Sequence, residues 1–174
     1  MKGVIADCLA KLVIEKFGKE KWMAVLEKAG LPRDTIFLAV EDVDDQAVIR
    51  VIEATCKVLN ISMTQAADAF GEYWMTSFAP KIYKTYYRDA RTAKDFILKM
   101  NFVHAEVTQT IRNARPPKFG YEWKDNNTLV MKYNSTRGLI DIMAGLIRGV
   151  GKYYQEDIQV KKISNTALEI FFPS

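Results

Sequence analysis

Histidine and cysteine are scarce in this 174-residue chain: His104 is the only histidine, and Cys8 and Cys56 are the only cysteines. Two cysteines so far apart, neither with a histidine beside it, make neither a zinc site nor a disulfide framework, and a reducing, cytoplasmic setting is the expectation. No apolar run approaches the roughly twenty residues of a membrane span. The opening stretch is broken by Lys2, Asp7 and Lys11, which excludes the look of a secretory segment. Internal repeats and low-complexity segments are absent. Basic residues exceed acidic ones only by 25 to 21, and they are dispersed, which reads as solvated surface. No helix-turn-helix pattern or aromatic-basic stacking motif speaks for nucleic acid. What is present is a globular composition, 49% apolar and 26% charged, in a chain long enough to bury a core without staples.

Taken in order, the first half reads as helices. Residues 3–17 repeat apolar positions at helical spacing and stop at Gly18; a second helix covers 19–29 and ends at Gly30 and Leu31-Pro32. Residues 33–43 carry apolar side chains without a period and read as a packed loop. Asp44 or Asp45 caps a helix running to about Leu59, and Ser62 caps another over 63–78 that is rich in aromatics: Phe70, Tyr73, Trp74 and Phe78. A short element spans Pro80 to Tyr87, and the charged run 88–95 reads as loop and first turn, with Thr92 a possible cap. A helix over 96–111 then carries Phe96, Ile97, Met100, Val103, Val107 and Ile111 as one stripe, with His104 on its edge.

At Arg115-Pro116-Pro117 the character changes, because two prolines stop a helix and extend the chain. Phe119, Tyr121 and Trp123 alternate, as do Leu129, Met131 and Tyr133, with Asp125-Asn126-Asn127 between them: a hairpin. An apolar helix over 139–154 and two strands over 158–163 and 168–172 complete the chain. The expected fold is α+β, with helices first and an antiparallel sheet of about four strands at the C-terminal end.

A lone half-buried histidine is more often a core residue than a ligand, and an aromatic stripe more often plain core than a cofactor wall. His104 has company, however. If the chain after the second strand stays extended, Tyr133, Ser135 and Arg137 share one side and offer phenol, hydroxyl and guanidinium to carboxylates. One imidazole, an aromatic wall and a carboxylate-binding trio together suit a flat apolar molecule that has carboxylates and an axial coordination site, which describes haem; zinc would need three or four ligands.

The same residues carry a resemblance. The opening Met1-Lys-Gly-Val-Ile5, Phe70-Gly-Glu-Tyr-Trp74, the His104 helix, the Pro116-Pro117 pair and Tyr-x-Ser-x-Arg at 133, 135 and 137 make the chain similar, over essentially its whole length, to H-NOX domains. That family of haem gas sensors includes the regulatory domain of soluble guanylate cyclase. The resemblance implies one haem domain over 1–174, with a helical distal subdomain (1–62) and a proximal α+β subdomain (63–174). It implies haem b with His104 as proximal iron ligand, Tyr133, Ser135 and Arg137 on the propionates, and Pro117 pressing on the porphyrin. The distal wall would be Ile5, Leu9, Trp74, Met75, Phe78, Ile142 and Leu146. Oxygen-binding members carry a tyrosine in the helix after the motif, and here the aligned position is Ile142.

From this resemblance follow nitric oxide and carbon monoxide as ligands, no stable dioxygen complex, and Trp74 as the one open question, since its indole N–H is a donor if it points at the iron. Nitric oxide would break the bond to His104 and free its helix. No kinase or cyclase sequence is attached, so the expected partner is a separate sensor histidine kinase or cyclic-di-GMP enzyme. The cysteine-based zinc site of some members is not expected, because no cysteine follows Cys56. A haem enzyme is disfavoured, since His104 is spent on the iron and no second histidine is left for acid-base work. The alternative reading is a haem-free module that binds another hydrophobic ligand or nucleic acid, although the sequence shows no sign of the latter.

Overall fold

Several helix boundaries in the computed structural model fall where the capping chemistry of the sequence puts them. Residues 1–109 and 115–173 are described. Helix α1 (Val4–Phe17) ends at Gly18, whose φ of 88° suits glycine, and α2 (Lys19–Lys28) follows at once. Asp44 accepts a hydrogen bond from Ala47 N at 2.9 Å and caps α3 (Asp45–Leu59), which closes on left-handed Asn60. Ser62 and Gln65 exchange side-chain and backbone hydrogen bonds of 2.9 and 3.1 Å at the start of α4 (Met63–Tyr73), a capping box.

The chain divides into two compact units, Met1–Ala66 and Ala67–Ser174, so the divide lies inside α4, four residues beyond the 62/63 boundary read from the sequence. In the N-terminal unit α1, α2 and α3 pack on one another and bury Cys8, Leu12, Val13, Trp22, Val25, Leu26, Val48 and Val51.

In the C-terminal unit the helix expected over 63–78 changes character. After α4 a π-helical turn covers Trp74–Phe78, in which Ala79 N–H reaches back five residues to Trp74 O. Two residues disfavour a regular α ladder here: Pro80 has no N–H and crowds the carbonyl four residues before it, and the Thr76 hydroxyl binds Glu72 O at 2.7 Å. Short helices α5 (Ala79–Ile82) and α6 (Lys84–Arg88) lead to α7 (Ala93–Leu98), capped by Thr92. The helix expected over 96–111 therefore starts earlier, and it is in two pieces, because Lys99 separates α7 from α8 (Met100–Thr108). At the break Lys99 N shares its hydrogen bond between Asp95 O and Phe96 O, a tightened turn. Ile111, assigned to that stripe, lies outside the described residues.

Strands β1 (Lys118–Trp123), β2 (Thr128–Asn134), β3 (Gln159–Ser164) and β4 (Ala167–Phe171) form one antiparallel sheet in the order β1-β2-β4-β3. Asp125 makes the β1–β2 turn by accepting from Asn127 N and Thr128 N. Helix α9 (Ile140–Tyr154) connects β2 to β3 and packs on β3, α7 and the π turn. One buried cluster unites Met75, Tyr87, Phe96, Ile97, Leu129, Met131, Tyr133, Ile140, Met143 and Ile147. The fold is thus α+β with a four-stranded antiparallel sheet, as the patterning requires. No helix among the described residues is long and apolar enough to cross a membrane.

Glycines set the distance between α4 and α9. A Cβ on Gly71 would fall on the carbonyl of Gly145, one on Gly145 on the carbonyl of Ala67, and one on Gly149 on the carbonyl of Gly71. At such contacts the obstacle is backbone, which cannot step aside as a side-chain tip can. Gly71→Ala is therefore expected to lose about 2–3 kcal/mol of stability, read as a lower urea midpoint at unchanged m-value, although alanine is the better helix former.

Candidate functional site

The site is built around α8, a helix that buries none of its residues fully. His104 is half-buried there. Its Nδ1 lies 3.4 Å from the Pro117 carbonyl oxygen, and its ring lies 5.4 Å from that of Phe119. Burial pushes the imidazole below its ordinary pKa, and the Pro117 carbonyl offsets this only in part. The side chain is consequently neutral at pH 7. With its proton on Nδ1, shared with Pro117, the Nε2 lone pair is the one left to bind a metal. Among the described residues no three His, Cys, Asp or Glu side chains are grouped to hold a metal ion.

Helix α8 is tied to β1 at its first turn. Asn101 Nδ2 donates to Phe119 O, and Phe119 N donates to Asn101 Oδ1, both at 2.8 Å. Asn101 and His104, three residues apart, face the same way. At the far end Thr108 Oγ1 donates to His104 O at 2.6 Å. Phe119 pairs in register with Tyr133 across β1 and β2, and their rings stack at 6.3 Å. A line of rings therefore runs from His104 through Phe119 to Tyr133.

The motif at 133, 135 and 137 is not extended throughout, which corrects the expectation that one strand face presents all three side chains. Strand β2 ends at Asn134, and residues 136 and 137 turn. The cause is local: Ser135 Oγ accepts from Arg137 N at 3.3 Å, and Gly138 takes a φ of 67°. Tyr133 is buried, while Ser135 and Arg137 are half-buried. Arg137 Nη1 donates to Arg115 O at 2.6 Å, which ties the turn to the segment holding Pro116 and Pro117. Arg137 thus reaches the backbone two residues before Pro117 through a turn rather than a strand period, and Tyr133 reaches the His104 side only through its ring stack on Phe119.

Among the expected distal residues, Trp74, Met75 and Phe78 occupy the π turn, which packs on α9, where Ile142 and Leu146 stand one helical turn apart. Trp74 packs against Phe70, Phe78 and Tyr83 at centroid distances of 5.8, 5.4 and 6.5 Å. Met75, Phe78 and Ile142 are buried, and Trp74 and Leu146 are half-buried. Ile5 and Leu9, one turn apart on α1, belong to the N-terminal unit. On the same helix Cys8 is fully buried, and burial, followed by the Asp7 charge, pushes its thiol far above the ordinary range, so it is not poised as a redox sensor.

Two participants escaped the sequence reading. Asn101 had a signal, an amide-bearing residue inside a helix with an extended segment nearby to bind. Phe119 had none beyond the strand alternation. The donor set fits haem: a neutral imidazole with one free nitrogen, a phenol, hydroxyl and guanidinium for carboxylates, and a partly buried aromatic and apolar wall.

Comparison with known proteins agrees in kind. Residues 2–162 match the family described as Haem-NO-binding. The soluble guanylate cyclases gcy-34 and gcy-37 of Caenorhabditis elegans are 24% and 26% identical over 87% and 92% of the chain, which spans 23% of the length of each cyclase. Among solved structures, an H-NOX protein from S. oneidensis in the Fe(II)NO ligation state superposes with a TM-score of 0.87 at 20% identity over 100% of both chains. An oxygen-binding H-NOX domain related to soluble guanylate cyclases, in its oxygen complex, superposes at 0.82 with 23% identity, covering 100% of this chain and 96% of that one. At these identities the likeness is one of fold.

Removing the Asn101 amide is expected to loosen α8 from the sheet. Asn101→Ala should lose about 1–2 kcal/mol and speed amide exchange across residues 100–108 while leaving β2 and β4 protected; hydrogen exchange followed residue by residue checks this.

Proposed function

We propose, from the premise that the chain belongs to the Haem-NO-binding family, that it is a haem-based gas sensor. On this reading it takes nitric oxide and carbon monoxide, holds no stable dioxygen, and signals to a separate protein. The observation that carries the reading is His104, a neutral, half-buried imidazole whose Nδ1 is engaged by the Pro117 carbonyl. Residues 1–174 are read as one haem domain that works in the cytoplasm.

His104 is the iron ligand, and Tyr133, Ser135 and Arg137 hold the propionates. Pro117 packs against the porphyrin, while Ile5, Leu9, Trp74, Met75, Phe78, Ile142 and Leu146 wall the gas side. Bound there, ferrous haem b supplies an open coordination position for a diatomic gas. The chain sets which gas stays. A haem held there would keep dioxygen only with a polar donor on the gas side, whereas nitric oxide and carbon monoxide would depend on such a donor far less. Ile142 is buried in α9 and brings only hydrocarbon to the wall. The Trp74 ring is engaged with Phe70, Phe78 and Tyr83, which supports a packing role for it.

The output follows from how α8 is held. Helix α8 is held to β1 by the two Asn101 bonds and by the His104–Phe119 ring contact. A haem bound by His104 would add one more tie, and losing that tie on gas binding would let α8 shift within those contacts. A partner that distinguishes the two positions of α8 reads the gas. A sensor histidine kinase or a cyclic-di-GMP enzyme suits that role. A catalytic haem reading is weaker, because the single histidine serves as ligand and leaves no imidazole for proton transfer on the gas side.

The test is the absorption spectrum of the haem-loaded protein, reduced and then exposed to each gas. Shifts with nitric oxide and carbon monoxide and none that persists in air are expected; a lasting oxygenated spectrum overturns the selectivity. His104→Gly should abolish the axial ligation signature and regain it with added imidazole. A variant with an unchanged spectrum removes His104 from the iron.

A further inference from the structure

The buried hydroxyl of Tyr87 donates to Met75 Sδ at 3.3 Å. Both residues are core: Tyr87 is 6% exposed and Met75 3%. Such a bond is an uncommon use of a thioether, a weak acceptor on a side chain with three rotatable bonds. Met75 also sits in the π turn, a helix irregularity found often at functional sites. The Tyr87 hydroxyl gives its sulfur a directional partner that packing alone does not.

Tyr87 is itself immobilised. Its ring lies 4.9 Å from Phe96 of α7 and 4.9 Å from Tyr153 near the end of α9, tilted on the first and edge-on to the second. Phe96 in turn lies 5.8 Å from Tyr154. The hydroxyl that fixes Met75 is thereby fixed by two other helices. One of them, α7, runs through Lys99 into α8 and His104.

We propose that Tyr87 is a positioning residue for gas binding: its hydroxyl sets the rotamer of Met75, and with it the space left for a diatomic ligand. This rests on the reading above that Met75 walls the gas side. Tyr87 does not touch the ligand. It acts through the sulfur, and its contact with Phe96 lets the placement of Met75 follow the position of α7.

Tyr87→Phe keeps the ring and removes only the hydroxyl. In the haem-loaded ferrous protein it should change the carbon monoxide dissociation rate roughly two- to tenfold, the range of one hydrogen bond, with haem content unchanged. It should also move the Met75 methyl resonance in a spectrum of methyl-labelled methionine, assigned through Met75→Leu. In the Met75→Leu background the same substitution should leave the rate alone. Equal rates with and without the hydroxyl, or an equal change in both backgrounds, overturn the assignment. A chain that takes up no haem overturns the sensor reading and this assignment with it, whereas a haem-loaded chain with unaltered rates overturns the assignment alone.

Discussion

Much of the C-terminal unit depends on one constraint, the backbone-to-backbone approach of α4 and α9. Gly71, Gly145 and Gly149 leave no room for a Cβ between the two helices. That spacing places the π turn, which continues α4, against α9, and so sets Trp74, Met75 and Phe78 beside the helix of Ile142 and Leu146. Arg148 with Asp68 at 2.5 Å, and Lys152 with Glu72, add ion pairs between the same two helices. These are partly or fully exposed and contribute little; the close steric fit decides the geometry.

The region around His104 is organised by polar ties. Asn101 binds the Phe119 backbone in both directions, Arg137 holds the Arg115 carbonyl, and His104 meets Pro117. Each tie joins α8 or the β2–α9 turn to the segment around Pro116 and Pro117, whose backbone donors two prolines have removed. At Arg115 and Pro117 the chain is held through its carbonyls, by guanidinium and imidazole, while Phe119 is held through both its N–H and its carbonyl by the Asn101 amide. The imidazole is kept neutral by burial, which is the form a metal needs.

Most of this was legible where the chemistry is local. Gly18, Asp44, Ser62 and Thr92 mark helix ends by capping, and Asp125 marks the hairpin by binding its own turn. The alternation of Phe119, Tyr121 and Trp123 against Leu129, Met131 and Tyr133 fixes two strands and their partnership. What periodicity could not show were departures from regular geometry. The π turn arises from Pro80 and Thr76 acting on a ladder that the apolar pattern treats as uniform. The break at Lys99 falls within the apolar spacing of Phe96, Met100 and Val103, which gives no sign of it. The turn at Ser135 replaces an extended segment, because a serine hydroxyl captured an amide two residues on. Asn101 and Tyr87 matter through partners 18 and 12 residues away, a distance at which spacing rules say nothing.

Helix α8 carries the candidate ligand yet puts none of its residues wholly into the core. Its place is held by directional contacts at a few points rather than by the burial that fixes α9. Directional contacts are enthalpic and break one at a time, while the chain they restrain regains conformational freedom as soon as enough of them are gone. On the function proposed above, a signal passed through α8 would be an entropic one: a partner would meet a segment with more accessible arrangements, and binding it would mean ordering it again.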